Sequence, residues 1–249
     1  MRQCAPIVLV HGLLGFDRVK VGPLRVGRYF PGIEEALVAD GFRIGVPSLS
    51  KTHGVVTRAT ELRAYLKATF PNEKVHLLAH SMGGLDSRYM ISKLGMEDRV
   101  RSLTTIATPH RGSSYADWAM GKFSRLSRPF FNLFGVSMDA FRDLTSDGSV
   151  RLMEDCPDVP GIAYHAVAGV CEQKRVRPRW RLSAHVVTRF EGANDGVVSV
   201  ASASRGPSVE VWHADHMSLV NHPNKRAPDS RGGPGDYLEL ARRVAALDQ

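Results

Sequence analysis

The chain reads VHLLAHSMGG from Val75 to Gly84. The apolar first half of this stretch is typical of a central strand that is covered on both faces. Residues 82–94 have the apolar spacing of a helix. Ser81 therefore lies in a sharp turn between a buried strand and a helix, and this strand–turn–helix unit sets the pattern of the chain.

The same alternation extends in both directions. Strands are predicted at residues 7–10, 42–46, 75–79, 103–107, 162–170 and 208–212, and helices at 31–40, 57–70, 82–94 and 236–247. This order favours an α/β fold, with a mostly parallel central sheet and helices on both faces. We expect a single domain over residues 1–249, with an insertion at about 113–160 where the alternation stops.

The charge of the chain indicates which classes of partner to expect. The formal net charge of +8 favours anionic partners. The basic run from Lys174 to Arg181 has two interpretations: a charged, solvated edge strand, or an extended face that contacts anionic lipid. We expect no nucleic-acid binding, because no recognised binding module surrounds the run.

The sequence leaves the location of the protein open. No apolar run approaches the roughly 20 residues of a transmembrane helix. The segment Met1–Val10 is too short for a secretory leader, which fits a cytoplasmic protein or an extracellular one whose leader has been removed. The cysteines are Cys4, Cys156 and Cys171. They are interpreted as three thiols, with a Cys156–Cys171 disulfide as the alternative.

Ser81 is a candidate nucleophile. The small residues Ala79 and Gly83 flank it, and bulky side chains there would clash in a strained turn that projects the hydroxyl from the sheet. The following helix directs positive potential toward an oxyanion. The alternative is a structural serine, since the short pattern also arises by chance.

The segment HGLLGF from His11 to Phe16 directly follows the first predicted strand. The backbone amides of Leu13 and Met82 are the candidate oxyanion donors, because such a hole takes one N–H from each loop. We expect His11 to anchor this loop by hydrogen bonds.

In an α/β fold with a nucleophilic serine in such a turn, the acidic residue and then the histidine of the site follow the serine along the chain. His216 is the candidate base, because it follows the last predicted strand in a loop; His213 is the alternative. Asp195 is the candidate acid, in a turn after a strand-like run. Its alternatives are an ordinary Asp-Gly turn residue and, as the acid, Asp215.

With these pieces in order, the chain resembles the bacterial true lipases of the Pseudomonas, Burkholderia and Proteus type, which have the α/β-hydrolase fold. The resemblance is carried by five motifs: His11–Asp17, Ala79–Gly84, Ala107–Gly112, Asn194–Gly196 and the His216 loop. It implies hydrolysis of triacylglycerol or other acyl esters at a transient lipid–water interface, a mobile lid, and usually secretion.

The chain departs from this family at the calcium site. The family usually carries an aspartate two residues after the catalytic histidine, where this chain has Ser218. The segment that should supply another carboxylate is the basic run near Arg175. We therefore expect no metal or other cofactor, calcium included.

An aromatic-rich segment from about Ser113 to Val136 is the candidate lid. Its substrate-facing candidates are Trp118, Phe123, Phe130, Phe131 and Phe134. The alternative is that these side chains complete the core. For the whole chain, the alternatives to a lipase are a short-chain esterase or acyltransferase, and a non-catalytic binding protein on the same scaffold.

Overall fold

The computed structural model of the protein describes residues 4–13, 18–21, 24–123 and 138–249. Its strands are β1 (Ile7–Val10), β2 (Arg18–Val21), β3 (Leu24–Arg28), β4 (Ile44–Gly45), β5 (Val75–His80), β6 (Val100–Ile106), β7 (Ala163–Val170) and β8 (Val209–His213). Within the described residues, six of them form one parallel sheet in the order β4-β1-β5-β6-β7-β8. The parallel α/β architecture is therefore confirmed.

Helices connect these strands. They are α1 (Ile33–Ala39), α2 (Val55–Thr69), α3 (Met82–Lys93), α4 (Ser114–Phe123), α5 (Met138–Asp143), α6 (Ser146–Glu154), α7 (Arg181–Glu191), α8 (Val200–Ala203) and α9 (Pro234–Ala245). The helices α4, α5 and α6 lie in the region where the sequence pattern loses its alternation.

The two faces of the sheet are covered by different helices. Alternate side chains of β1 point to opposite faces. Ile7 and Leu9 pack in one cluster with residues of α1 and α9. Val8 and Val10 pack in a second cluster with residues of α2 and α3. Every β1 side chain is buried, which explains why this strand reads as an unbroken apolar run.

One edge of the sheet gathers the polar candidates. In a parallel sheet, the carboxyl ends of all strands meet at the same edge, where ligands commonly bind. Ser81 follows β5, and His216 follows β8. The turn with Asp195 follows the connection that leaves β7.

The structure corrects the prediction for the basic run. Lys174–Arg181 is not an extended edge strand: a short 3-10 helix spans Pro178–Trp180, and α7 begins at Arg181. Proline is favoured at the first position of a helix because it needs no N–H partner there. The four arginines of the run therefore do not share one strand face.

Two further elements differ from the sequence prediction. The residues before Asp195 form α7 and not a strand-like run, because Ser183, Ala184 and Val187 bury a helical face. An antiparallel hairpin of β2 and β3, which is absent from the strands predicted above, follows the His11 loop.

No helix in the described parts of the chain has the length and apolar character needed to span a membrane. Cys156 and Cys171 hold separate thiols rather than a disulfide. Burial raises the pKa of the Cys171 thiol to about 11, which keeps it protonated near neutral pH.

The core predicts a stability effect. Leu9 is fully buried in the sheet, so Leu9→Ala should lower the free energy of unfolding by roughly 2–5 kcal/mol through lost burial and a cavity. Leu182→Ala is the matched control because Leu182 is 53% exposed; its effect should stay within about 0.5 kcal/mol. Urea unfolding measures both, and equal losses would contradict the assignment of Leu9 to the core.

Candidate active site

Ser81 has an unusual backbone conformation. Its φ of 56° and ψ of −131° fall outside the regions that side chains ordinarily adopt. The amide donates to the carbonyl of Ile106 at 2.8 Å, and the Ser81 carbonyl accepts from the Thr108 hydroxyl at 2.9 Å. These bonds hold the strained turn between β5 and α3, and the Ser81 side chain remains partly exposed.

The three predicted side chains lie in one hydrogen-bonded line. His216 Nε2 lies 3.1 Å from Ser81 Oγ. His216 Nδ1 lies 2.7 Å from Asp195 Oδ2. The Nδ1–H tautomer of the imidazole would donate to the carboxylate and leave Nε2 free to accept the serine proton.

Asp195 is fully buried and held in a fixed orientation. Its Oδ1 accepts from the backbone amides of Val197 at 2.9 Å and Val198 at 2.8 Å. A Cβ at Gly169, near the end of β7, would lie 2.8 Å from Asp195 Cβ, so a glycine there makes room for the acid. These contacts leave Oδ2 directed at His216.

The alternatives from the sequence lie elsewhere. His213 is exposed on β8. His110 is buried and bonded through Nε2 to the Thr105 hydroxyl. The Asp215 carboxylate accepts from Arg177 at 2.9 Å and from Asn224 at 2.7 Å.

The His11 loop lies against the serine. A Cβ at Gly12 would come within 2.7 Å of Ser81 Cβ and 2.9 Å of the Tyr29 hydroxyl, so only glycine allows this approach. Met82 opens α3, where the first amides have no intrahelical acceptor. Leu13 packs against the same apolar cluster that contains Met82. The two candidate oxyanion donors therefore flank one site.

Hydrogen bonds anchor this loop. His11 Nδ1 is 2.9 Å from the Gly12 carbonyl, and Nε2 accepts from the Leu49 amide at 3.1 Å. The Arg58 guanidinium donates to the His11 carbonyl at 2.7 Å and pairs with Asp86 at 2.8 Å. The predicted anchoring role of His11 agrees with these contacts.

Only part of the predicted lid lies within the described residues. Trp118 is partly buried on α4, and its ring stacks on Tyr115 with centroids 5.8 Å apart. Phe123 is the last residue of α4. Phe130, Phe131 and Phe134 lie outside the described residues.

Comparison with known proteins identifies the family. A model of the alpha/beta hydrolase fold matches residues 5–128. A triacylglycerol lipase of Vibrio cholerae is 40% identical over 254 aligned positions, which cover 87% of this chain and 79% of that protein. The chain belongs to the bacterial lipases of the α/β-hydrolase superfamily.

Other members of this lipase family differ in length. The triacylglycerol lipase of Pseudarthrobacter phenanthrenivorans is 35% identical over 161 residues, 59% of this chain. The chain spans about half the length of the relatives from Pseudarthrobacter phenanthrenivorans and Burkholderia plantarii, 49% and 43%.

Solved structures share the fold of this chain. Lipase 1 from Pelosinus fermentans has a TM-score of 0.76 at 18% identity, covering 97% of this chain and 98% of that chain. A mature Bacillus licheniformis lipase has a TM-score of 0.72 at 21% identity, covering 99% and 93%. The shared fold thus persists at low sequence identity.

A polar link that the sequence pattern did not predict lies behind the base. The Tyr29 hydroxyl lies 2.7 Å from His80 Nδ1, and His80 Nε2 lies 3.0 Å from the His216 carbonyl. The His80 and His216 rings lie 4.6 Å apart. Burial lowers the pKa of His80 well below its usual value, so its ring is neutral and donates one N–H to the His216 carbonyl.

The role of Arg58 was not predicted, although the helical pattern of α2 points to this residue. The buried face of α2 carries Val55, Ala59, Leu62 and Leu66 at helical spacing, and Arg58 falls on that face. A cation on an apolar stripe must find a buried partner. In the structure, the partners are Asp86 and the His11 carbonyl.

The buried histidines predict a pH effect on stability. Burial, together with the nearby Arg58, lowers the pKa of His11 from 6.5 to about 4. The folded state favours the neutral form of His11. Its contribution to the free energy of unfolding is therefore complete above pH 6.5 and is lost as the pH falls toward 4. The loss amounts to about 3 kcal/mol, from about 1.36 kcal/mol per pKa unit.

Urea unfolding between neutral pH and pH 4 measures this effect. His11→Gln should flatten the dependence, whereas His213→Gln, at an exposed histidine, should leave its slope unchanged. A wild-type free energy of unfolding that stays constant over this range would contradict the assignment.

Proposed function

We propose that this chain is a serine carboxylic-ester hydrolase, a lipase that cleaves triacylglycerol or other acyl esters through an acyl-enzyme. The observation that carries the proposal is the line from Ser81 through His216 to Asp195, with contacts of 3.1 Å and 2.7 Å. A line of this kind activates a serine hydroxyl in unrelated hydrolases.

In the first half of the reaction, Ser81 Oγ attacks the ester carbonyl carbon. The Ser81 proton passes to His216 Nε2, and the buried Asp195 carboxylate stabilises the resulting imidazolium. The carbonyl oxygen becomes an oxyanion that accepts hydrogen bonds from the amides of Leu13 and Met82. The C–O bond to the alcohol then breaks, and the alcohol leaves with the proton from Nε2.

In the second half, water attacks the acyl-enzyme. His216 takes a proton from the water, the same two amides bind the second oxyanion, and collapse releases the carboxylic acid. The proton returns to Ser81 Oγ. The reaction needs no redox partner, since it exchanges an alcohol for water at one acyl carbon.

The position of Ser81 supports its role as the nucleophile. The strained backbone sets the side chain at the carboxyl edge of the sheet, beside the amino end of α3. Strain is commonly retained where a functional geometry depends on it. The partial exposure of Ser81 gives an ester access to its hydroxyl.

The nucleophile assignment predicts the effect of one substitution. Ser81→Ala should lower kcat/KM for p-nitrophenyl esters by roughly three or more orders of magnitude while the fold persists. The variant should also lose labelling by a serine-directed organophosphonate, because no hydroxyl remains to attack phosphorus.

Ser92→Ala is the matched control, because the Ser92 hydroxyl lies in an exposed contact with the Pro157 carbonyl on the far part of α3. It should label like the wild type. Near-wild-type turnover by Ser81→Ala would reject the nucleophile. Failure of the folded wild type to hydrolyse any acyl ester would favour a non-catalytic binding protein.

We further propose a lipid-contacting surface, defined as the exposed face of α7 together with α4. Leu182 and Phe190 on α7 are 53% and 67% exposed, and the side chains of Arg181 and Arg189 are exposed beside them. An apolar face flanked by cations is typical of helices that bind at anionic interfaces.

The α4 part of this surface is tied to α7. The Ser114 amide, at the start of α4, donates to the Glu191 carboxylate at the end of α7, at 2.6 Å. Trp118 and Phe123 lie on α4. They are the described members of the proposed lid, whose opening would expose the Ser81 edge to lipid.

The proposed surface predicts different effects on the hydrolysis of emulsified and of dissolved substrates. Leu182→Ser with Phe190→Ser should lower hydrolysis of emulsified long-chain triacylglycerol several-fold, because less apolar area anchors the enzyme. Hydrolysis of dissolved p-nitrophenyl butyrate should change little, because neither side chain belongs to the hydrogen-bonded line of Ser81, His216 and Asp195.

The matched control is Val38→Ser with Val56→Ser, two exposed apolar residues on other helices, 54% and 53% exposed. Equal losses on emulsion and solution would overturn the surface proposal. A wild type that hydrolyses only dissolved short-chain esters would instead identify an esterase.

A further inference from the structure

The Arg177 side chain lies between two loops and is only 14% exposed. Its Nε donates to Asp215 Oδ2 at 2.9 Å, and its Nη2 donates to Ser218 Oγ at 3.1 Å. The same Nη2 also donates to the carbonyl of His222. Three groups of one loop therefore accept from a single guanidinium.

The loop that Arg177 binds is the loop that carries His216. Asp215 directly precedes His216, and Ser218 lies two residues after it. Arg177 itself lies in the connection between β7 and α7, the segment that leads to the Asp195 turn. The guanidinium thus connects two segments: the one that leads to the proposed acid Asp195, and the loop that carries the proposed base His216.

We propose that Arg177 is a positioning residue that fixes the His216 loop as an internal cation, in the place of the calcium ion that the family resemblance implies. The inference rests on the proposed function. The planar guanidinium presents donors in a fixed fork, so it sets both the distance and the direction of its acceptors.

Charge supports this role. The Asp215 carboxylate is fully buried, and a buried carboxylate without a partner is strongly destabilising. Arg177 supplies the compensating charge, and Asn224 Nδ2 donates to the same oxygen at 2.7 Å. Asp215 Oδ1 accepts from the Ser218 amide at 2.9 Å. The carboxylate therefore accepts three hydrogen bonds, two on Oδ2 and one on Oδ1.

The donor set does not fit calcium. Calcium takes about six to eight oxygen ligands, with carboxylates prominent among them. Here the loop offers the carboxylate of Asp215, a hydroxyl where the family has an aspartate, and one carbonyl, and all three already accept from Arg177. A divalent ion would have to enter beside a fixed positive charge. In the described residues, no group of three or more His, Cys, Asp or Glu side chains is arranged to hold a metal.

A second contact fixes the far end of the same loop. His222 Nε2 lies 3.1 Å from the Tyr29 carbonyl, and burial lowers the pKa of His222. The neutral ring can donate to that carbonyl, so the loop remains attached when Arg177 is removed. The proposal therefore predicts a misplaced His216 in a folded protein.

The experiment compares Arg177→Ala and Arg177→Lys with the wild type, using soluble p-nitrophenyl butyrate and the rate of organophosphonate labelling. Arg177→Ala should lower kcat and the labelling rate by as much as roughly 100-fold, because a small displacement of a catalytic group is that costly. KM should change little. Arg177→Lys should fall between the two, since an ammonium keeps the charge but loses the fork.

Chemical rescue separates positioning from a general loss of stability. Millimolar methylguanidinium should restore part of the labelling rate of Arg177→Ala, whereas methylammonium should not. Lys174→Ala is the matched control, because Lys174 is a cation of the same segment whose side chain is 82% exposed. It should behave like the wild type.

A calcium chelator provides an independent arm that needs no variant. Thermal unfolding and labelling of the wild type should be the same in chelator and in added calcium. A melting temperature that falls in chelator and recovers with calcium would overturn the proposal, as would wild-type labelling by Arg177→Ala. If the alanine variant does not fold, Arg177→Lys and the chelator arm decide. A wild type that fails to label at all would reject the proposed function instead.

Discussion

The backbone of Ser81 is the constraint on which the rest of the site depends. Its φ of 56° is costly for a residue with a side chain, and the surrounding sheet and helix hold it there. The amide bond to Ile106 and the hydroxyl of Thr108 fix both sides of the turn. Because the parallel sheet brings its carboxyl ends to one edge, His216 after β8 and Asp195, which packs beside Gly169 near the end of β7, lie close to this hydroxyl.

The His11 loop and the His216 loop are held by polar side chains from other elements. Arg58 of α2 binds the His11 carbonyl, His80 of β5 binds the His216 carbonyl, and Arg177 binds the far side of the His216 loop. Backbone carbonyls in loops are otherwise satisfied by water, which allows movement. Internal donors replace the water and give each loop one favoured position.

Local pattern predicted the sheet, the serine turn and the His11 loop. It also singled out Asp195 and His216, which the structure brings into one hydrogen-bonded line with Ser81. Each depends on a periodicity or on residue types close together in the chain. The strand prediction for the basic run was wrong. Its four alternating arginines fit a strand, but Pro178 begins a 3-10 helix and the partners of Arg177 hold that side chain elsewhere. Those partners lie 38 or more residues away, and pattern carries no information on such pairs. Tyr29 and His80 were missed for the same reason.

The most direct measurement is a crystal structure of the protein after reaction with an organophosphonate that mimics the tetrahedral intermediate. The account predicts a covalent bond from Ser81 Oγ to phosphorus, with the phosphonyl oxygen about 3 Å from the amides of Leu13 and Met82. His216 Nε2 should lie within hydrogen-bond distance of the ester oxygen. An adduct on another residue, or a phosphonyl oxygen that points away from both amides, would contradict it.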